Sequence, residues 1–145
     1  MSENLNKLFS PILVVESLTA AKTLDQYDSG KIFTLDLAAG FTVTLPLHST
    51  AGAGWFCKIV VGTNCTSNSY IISESVADAN TIVAQVAELE TDTSDDGPSS
   101  TGCTTITLGN ATDTVGDTFD IICDGSKFYV QGVTALDGGA ALAAG

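Results

Sequence analysis

From Lys31 onward the apolar positions recur every second residue. Phe33, Leu35 and Leu37 share one face of a strand, and Thr34 and Asp36 the other. After Ala38-Ala39-Gly40, Phe41, Val43 and Leu45 alternate with Thr42 and Thr44 until Pro46, which cannot donate to a ladder, ends the strand. Trp55-Phe56-Cys57-Lys58-Ile59-Val60-Val61 is apolar on both faces apart from Lys58, as a central strand would be. Tyr70–Ile72, Thr81–Ala84 and Thr104–Leu108 read as shorter strands, and residues 85–90 could hold one helical turn. Two alternating runs, Asp117–Cys123 and Ser126–Gly132, flank Asp124-Gly125, a strong hairpin signal because Gly supplies the positive φ of a tight turn.

This pattern predicts an all-β domain of about seven or eight strands, an antiparallel β-sandwich or barrel-like, jelly-roll-like fold with an extended N-terminal arm. Its core candidates are Phe33, Leu35, Val43, Leu45, Trp55, Cys57, Ile59, Val61, Ile106, Phe119, Ile121, Phe128 and Val130. Residues 1–23 read as the arm or first strand, 24–135 as the β-domain, and 136–145 as a flexible Ala/Gly tail. Thr91 to Gly102 reads as a long, exposed acidic loop.

Composition narrows the function. The chain has 145 residues, enough for one compact domain, and is 44% hydrophobic with 15% charged residues. Its net charge of -12 repels nucleic-acid phosphates and anionic membrane surfaces, and favours a partner with a basic or neutral face. No run reaches the ~20 apolar residues of a spanning helix. The N-terminus has no apolar run behind a basic region, so assembly in a cytoplasm is expected. Cys57, Cys65, Cys103 and Cys123 fit that compartment as reduced, buried thiols, since no C-x-x-C is present.

Little in the chain points to catalysis. The single histidine, His48, lies in a turn beside Ser49, and there is no nucleophile elbow, Walker lysine or dinucleotide glycine pattern. The acids fall mainly in turns, where hydration would keep them ionised. Asp92, Ser94 and Asp96 with Gly97 resemble the opening of a calcium loop, but Cys103 occupies the closing position where a bidentate Glu is needed. These three residues are the calcium candidate; otherwise no metal, cofactor or enzymatic activity is expected.

Three segments carry a family resemblance: Asp28–Asp36, then Gly40–Pro46 with Ala53–Thr63, and finally Gly116–Gly132. Together they resemble a module of tailed-phage virion proteins, especially those of marine phages, over about three quarters of the chain. The acidic 91–102 loop and the Ala/Gly tail depart from that pattern. The resemblance implies a virion surface protein, either a capsid decoration (cement) protein or a tail or head fibre component that binds a host glycan or receptor. It also implies a homo-oligomer, with a trimer as the expected number, and carries over no catalytic residue. The absence of a fibre shaft, collagen-like repeat or heptads favours decoration of the capsid, with the major capsid protein as partner. Leu5, Leu8, Phe9, Ile12 and Leu13 are the candidate capsid or subunit contacts. Phe56, Ile122 and Tyr129, opposite the predicted core face, are the candidate oligomer interface.

Overall fold

In the computed structural model, which describes residues 13–90 and 97–145, the alternating runs become strands. In chain order these are β1 (Val14–Leu18), β2 (Lys22–Thr23), β3 (Lys31–Leu35), β4 (Thr42–Thr44), β5 (Ala53–Val61), β6 (Tyr70–Ser73), β7 (Ile82–Glu88), β8 (Ser99–Cys103), β9 (Thr105–Leu108), β10 (Thr118–Asp124), β11 (Phe128–Thr134) and β12 (Ala140–Ala143). A 3-10 turn (Gln26–Asp28) and one short helix, α1 (His48–Ala51), interrupt them. Seven strands form one sheet in the order β1-β3-β5-β10-β11-β7-β8, and five form a second in the order β12-β9-β6-β4-β2. The two sheets pack as a β-sandwich around one core.

The first half of the chain winds between the sheets. β1, β3 and β5 lie in the larger sheet, and β2, β4 and β6 in the smaller one. Each return to a sheet comes after a crossing to the other, so successive strands in a sheet run parallel: β1 with β3, β3 with β5, β2 with β4, and β4 with β6. β11 and β7 are also parallel. The expected antiparallel sandwich is therefore a sandwich of two mixed sheets. Antiparallel pairing is confined to β10 with β5 and β11, β7 with β8, and β9 with β6 and β12.

Every core residue predicted from the alternation is buried, because period two specifies which side chains face inward whatever the direction of the neighbouring strand. Leu18, Leu24, Tyr70, Ile72, Ile82 and Leu108 extend this core. Trp55 meets Phe128 edge-on at 5.9 Å between ring centres, and its indole N–H donates to the Asp25 carbonyl. The Asp124-Gly125 hairpin forms as predicted, joining β10 to β11. Gly125 has φ +93°, and Asp124 Oδ1 accepts the N–H groups of Ser126 and Lys127.

Four further expectations are corrected. The last ten residues are not simply a flexible tail: Ala140–Ala143 pair antiparallel with β9, because small side chains suit an edge over the core and Ala140 is buried there. Residues 85–90 are not helical: most of them continue β7, whose Ile82, Ala84 and Val86 all face inward. The end of the stretch read as a 91–102 loop is strand, since β8 runs Ser99–Cys103. Finally, the domain begins before residue 24, because β1 and β2 already belong to the two sheets.

Ala111 lies in the turn after β9 with φ +89°, a region that costs a residue with a Cβ roughly 1–2 kcal/mol. Ala111→Gly is therefore expected to raise stability by about 0.5–1 kcal/mol, after the added freedom of the unfolded chain is subtracted. An increased urea midpoint at constant m checks this.

The open end of the winding is closed by charge. Lys22 Nζ and Lys31 Nζ lie 5.2 and 6.0 Å from the centre of the Phe33 ring. Both reach Glu16, at 2.5 and 3.2 Å, and Asp28, at 3.6 and 2.7 Å. Burial pushes Asp28 upward, but hydrogen bonds from Lys31 and the Asp25 N–H, with the two lysine charges, leave its carboxyl below the usual value. The Lys22 hydrogen bond is the main cause that lowers Glu16. A carboxylate depressed by folding stabilises above its unfolded pKa, and the gain is lost as pH falls through the folded one. The protein is therefore expected to weaken as pH falls below the ordinary carboxyl values, 4.5 for Glu16 and 3.8 for Asp28. Asp117 has the opposite sign: burial raises its carboxyl, so its protonation offsets part of the loss. Lys31→Met should flatten the decline between about pH 5 and about pH 3 in urea titrations.

Candidate functional site

The outer face of the seven-stranded sheet collects apolar side chains in register. Ile122 of β10 pairs with Phe56 of β5 on one side and Tyr129 of β11 on the other. Tyr129 in turn pairs with Val83 of β7. One row across four strands thus reads Phe56–Ile122–Tyr129–Val83. Phe56, Ile122 and Tyr129 are 46%, 55% and 44% exposed, a large share for residues at the middle of a sheet. Two residues along, ~7 Å away, the row is Lys58–Asp120–Gln131–Gln85, with Lys58 Nζ 3.6 Å from Asp120 Oδ1. The third row, Val60–Thr118–Val133–Ala87, is again mostly apolar.

The anchors on this face are held from below or from the side. Gly30 donates its N–H to the Phe56 carbonyl at 2.7 Å, and a side chain at Gly30 would meet the Phe56 ring. Tyr129 Oη donates to Asp124 Oδ2 at 3.1 Å, and that bond raises the phenol's pKa. The Lys58–Asp120 pair and Asp124 supply the charges among these rows, in a chain of net charge -12. Shallow depressions lie over β7, β8 and β11 on the same face, lined by Val83, Gln85, Tyr129, Gln131, Ser100 and Val133.

The structure brings together the three interface candidates, Phe56, Ile122 and Tyr129, and adds Val83. Sequence reasoning missed Val83 because no alternation signal says which strand lies beside β11. Leu13 is exposed just before β1. Leu5, Leu8, Phe9 and Ile12, and the calcium candidates Asp92, Ser94 and Asp96, lie outside the described residues. Among the described residues no group of three or more His, Cys, Asp or Glu is placed to hold a metal ion, and no helix is long and apolar enough to cross a membrane.

The chemically competent side chains are tied up in structure. His48 Nδ1 lies 2.5 Å from Asp78 Oδ1, and the His48 N–H donates to Asp78 Oδ2 at 3.2 Å. The Asp78 side chain is wholly covered. Cys123 Sγ reaches the His48 carbonyl and not its ring. All four cysteines are free and buried, and burial pushes every thiol up, Cys65 to about 11 with Asp113 adding to the effect. Such thiols stay protonated and are poor nucleophiles.

Several acids depart from the expectation of hydrated turns. Glu74, Asp113 and Asp117 are buried and tie loops by accepting backbone N–H groups. Glu74 accepts from Asn80 N, Thr81 N and Thr81 Oγ1; Asp113 accepts from Cys65 N; Asp117 accepts from Thr114 N and Ala135 N. No protein-family model, curated protein or solved structure matches the chain.

Proposed function

We propose that this protein is a non-enzymatic structural component of a virus particle, which decorates and cements the outside of a phage capsid as a symmetric oligomer. The observation that carries the reading is the apolar row Phe56–Ile122–Tyr129–Val83 on the outer face of the larger sheet. A lone sandwich leaves such a row in water, whereas closed cyclic symmetry buries it. The face carries little net charge, so acidic copies can meet there without the repulsion of their other surfaces. The trimer number and the major capsid protein as partner rest on the resemblance to tailed-phage virion modules. In this reading Leu5, Leu8, Phe9, Ile12 and Leu13 bury apolar area on the shell, at about 25 cal/mol per Å². Repetition around the oligomer multiplies a weak contact.

The test is sedimentation of undecorated capsids with the intact protein and with a Leu8→Ser/Phe9→Ser variant. The intact protein is expected to co-sediment at a fixed ratio to capsid subunits, and the variant, still folded and oligomeric, to lose at least ~10-fold in affinity. Equal binding would remove the arm from the mechanism, and no binding by either would remove the capsid role.

One observation favours a second reading. Tyr129 stands beside Gln85 and Gln131 in a shallow depression, an aromatic flanked by amides of the kind that holds a sugar ring. Under that reading the chain is a fibre component and binds a host-surface glycan. Glycan-array binding that Tyr129→Ala abolishes would put it in place of the first.

A further inference from the structure

We infer that β1 is a second self-association element, and that it pairs antiparallel with β1 of another copy to join two larger sheets edge to edge. β1 is the outermost strand of the seven-stranded sheet. Its register with β3 is parallel, and the Asp36 N–H donates to the Leu18 carbonyl at 2.8 Å. Leu18 therefore directs its backbone groups at β3, and so does Glu16, two residues earlier. Val15 and Ser17 direct theirs the other way. No described residue pairs with the backbone N–H or carbonyl of either.

This edge has none of the usual protections against strand addition. It contains no proline, bulge or lysine, and it is not covered by a described loop or helix. Leu13, Val14 and Val15 are each more than half exposed, so both faces of the edge present apolar side chains.

Two features make a second copy the occupant. The first is charge. Two of the chain's few lysines gather here, and Lys22 and Lys31 neutralise Glu16 and Asp28. Asp36, which accepts the Ser17 and Thr34 hydroxyls, adds one negative charge beside β1, a small part of the chain's net charge of -12, so two copies can approach there. The second is self-complementarity. With the two-fold axis at Val15, Val15 faces Val15 of the second copy and exchanges both of its free hydrogen bonds with it. Val14 then faces Glu16, and Leu13 faces Ser17. No like charges stand opposite one another.

The inference does not rest on the outer-face reading, and its test separates the two. The full chain carrying Ile122→Lys silences the outer face. Light scattering of that variant should show a monomer–dimer equilibrium. Adding Val15→Lys or Val15→Glu should each weaken the dimer at least ~10-fold by placing like charges across the axis, while an equimolar mixture of the two restores it. Val15→Pro, which removes only the outward N–H, should weaken it similarly with an unchanged circular dichroism spectrum. Amide exchange at Val15 and Ser17 should slow as concentration rises. A chain that stays monomeric with Ile122→Lys alone overturns the inference. So does a mixture that fails to re-form the dimer, or protection of Val15 that persists in dilute monomer, which would mean the chain covers its own edge. An Ile122→Lys variant with the mass of the unmodified protein would count against the outer face, and the Val15 series would still decide the edge.

Discussion

Replacing Tyr70 by phenylalanine is expected to cost about 1–3 kcal/mol of stability, and replacing it by alanine at least about 3–5 kcal/mol. Tyr70 begins β6 and is fully buried. Its hydroxyl accepts the Leu37 N–H at 3.0 Å. The carbonyls of Thr63, Leu37 and Leu35 surround it at 2.8, 2.9 and 3.1 Å, so its one proton always has an acceptor. This single group ties the loop after β3 to the loop after β5. The ring fills core volume and meets Phe41 edge-on at 5.1 Å. Phenylalanine keeps the volume but strands the part-buried Leu37 N–H; alanine opens a cavity as well. Against a total of ~5–15 kcal/mol, the alanine variant should unfold near ambient temperature if the protein lies at the low end. Urea midpoints measured at constant m give both values. Alkaline pH supplies an independent check. Burial is the main cause that pushes the Tyr70 phenol up to about 12, from its ordinary value of 10.0. The contribution is complete below 10.0, and is lost as pH rises from there through about 12. Tyr70→Phe should remove that part of the alkaline decline. An unchanged urea midpoint for Tyr70→Phe would show that the hydroxyl is not holding the two loops together.

The alternation of Phe33 with Leu35, or Phe119 with Ile121, carries the inward face of each strand in the sequence itself. The Asp124-Gly125 turn likewise contains its own geometry, because Gly125 must take φ +93° to reverse the chain. Strand direction is different in kind. Whether β3 lies parallel to β5 depends on the path of the chain through the smaller sheet in between, and no local pattern encodes that path. The buried acids were hidden for a related reason. Glu74 and Asp117 look like any turn carboxylate until the loops that donate to them are in place. The interface candidates were partly legible. Phe56, Ile122 and Tyr129 have the wrong parity for the core, which marks them as outward-facing apolar residues. Their alignment into one row requires the pairing of β10 with both β5 and β11, and the addition of Val83 requires the parallel pairing of β7. Tyr70 fell outside the predicted core because its strand is short and its partners are backbone groups distant in sequence.

Ile122→Lys is expected to reduce self-association through the outer face at least ~100-fold while leaving the monomer intact. Ile122 is more than half exposed in the single chain, so a lysine there keeps its ammonium in water and changes folding stability by only about 0.5 kcal/mol. Burial against another copy changes the balance. Position 122 is flanked by Phe56 and Tyr129, neither of which can pair with an ammonium the way a carboxylate can. Bringing that charge into a covered apolar row costs several kcal/mol, and each 1.4 kcal/mol is a factor of ten in association. The neighbouring Asp120 does not rescue it, since Asp120 projects into the next row and is already engaged with Lys58. Val76→Lys is the matched control. Val76 is a fully exposed apolar residue in the loop after β6, away from the outer face, and the same change of charge there should leave association untouched. Light scattering across a concentration series, with thermal melts of both variants, separates loss of assembly from loss of fold. Equal masses for Ile122→Lys and the unmodified protein would mean that the row does not join copies of this chain. Equal losses for Ile122→Lys and Val76→Lys would mean that net charge, and not the row, controls assembly.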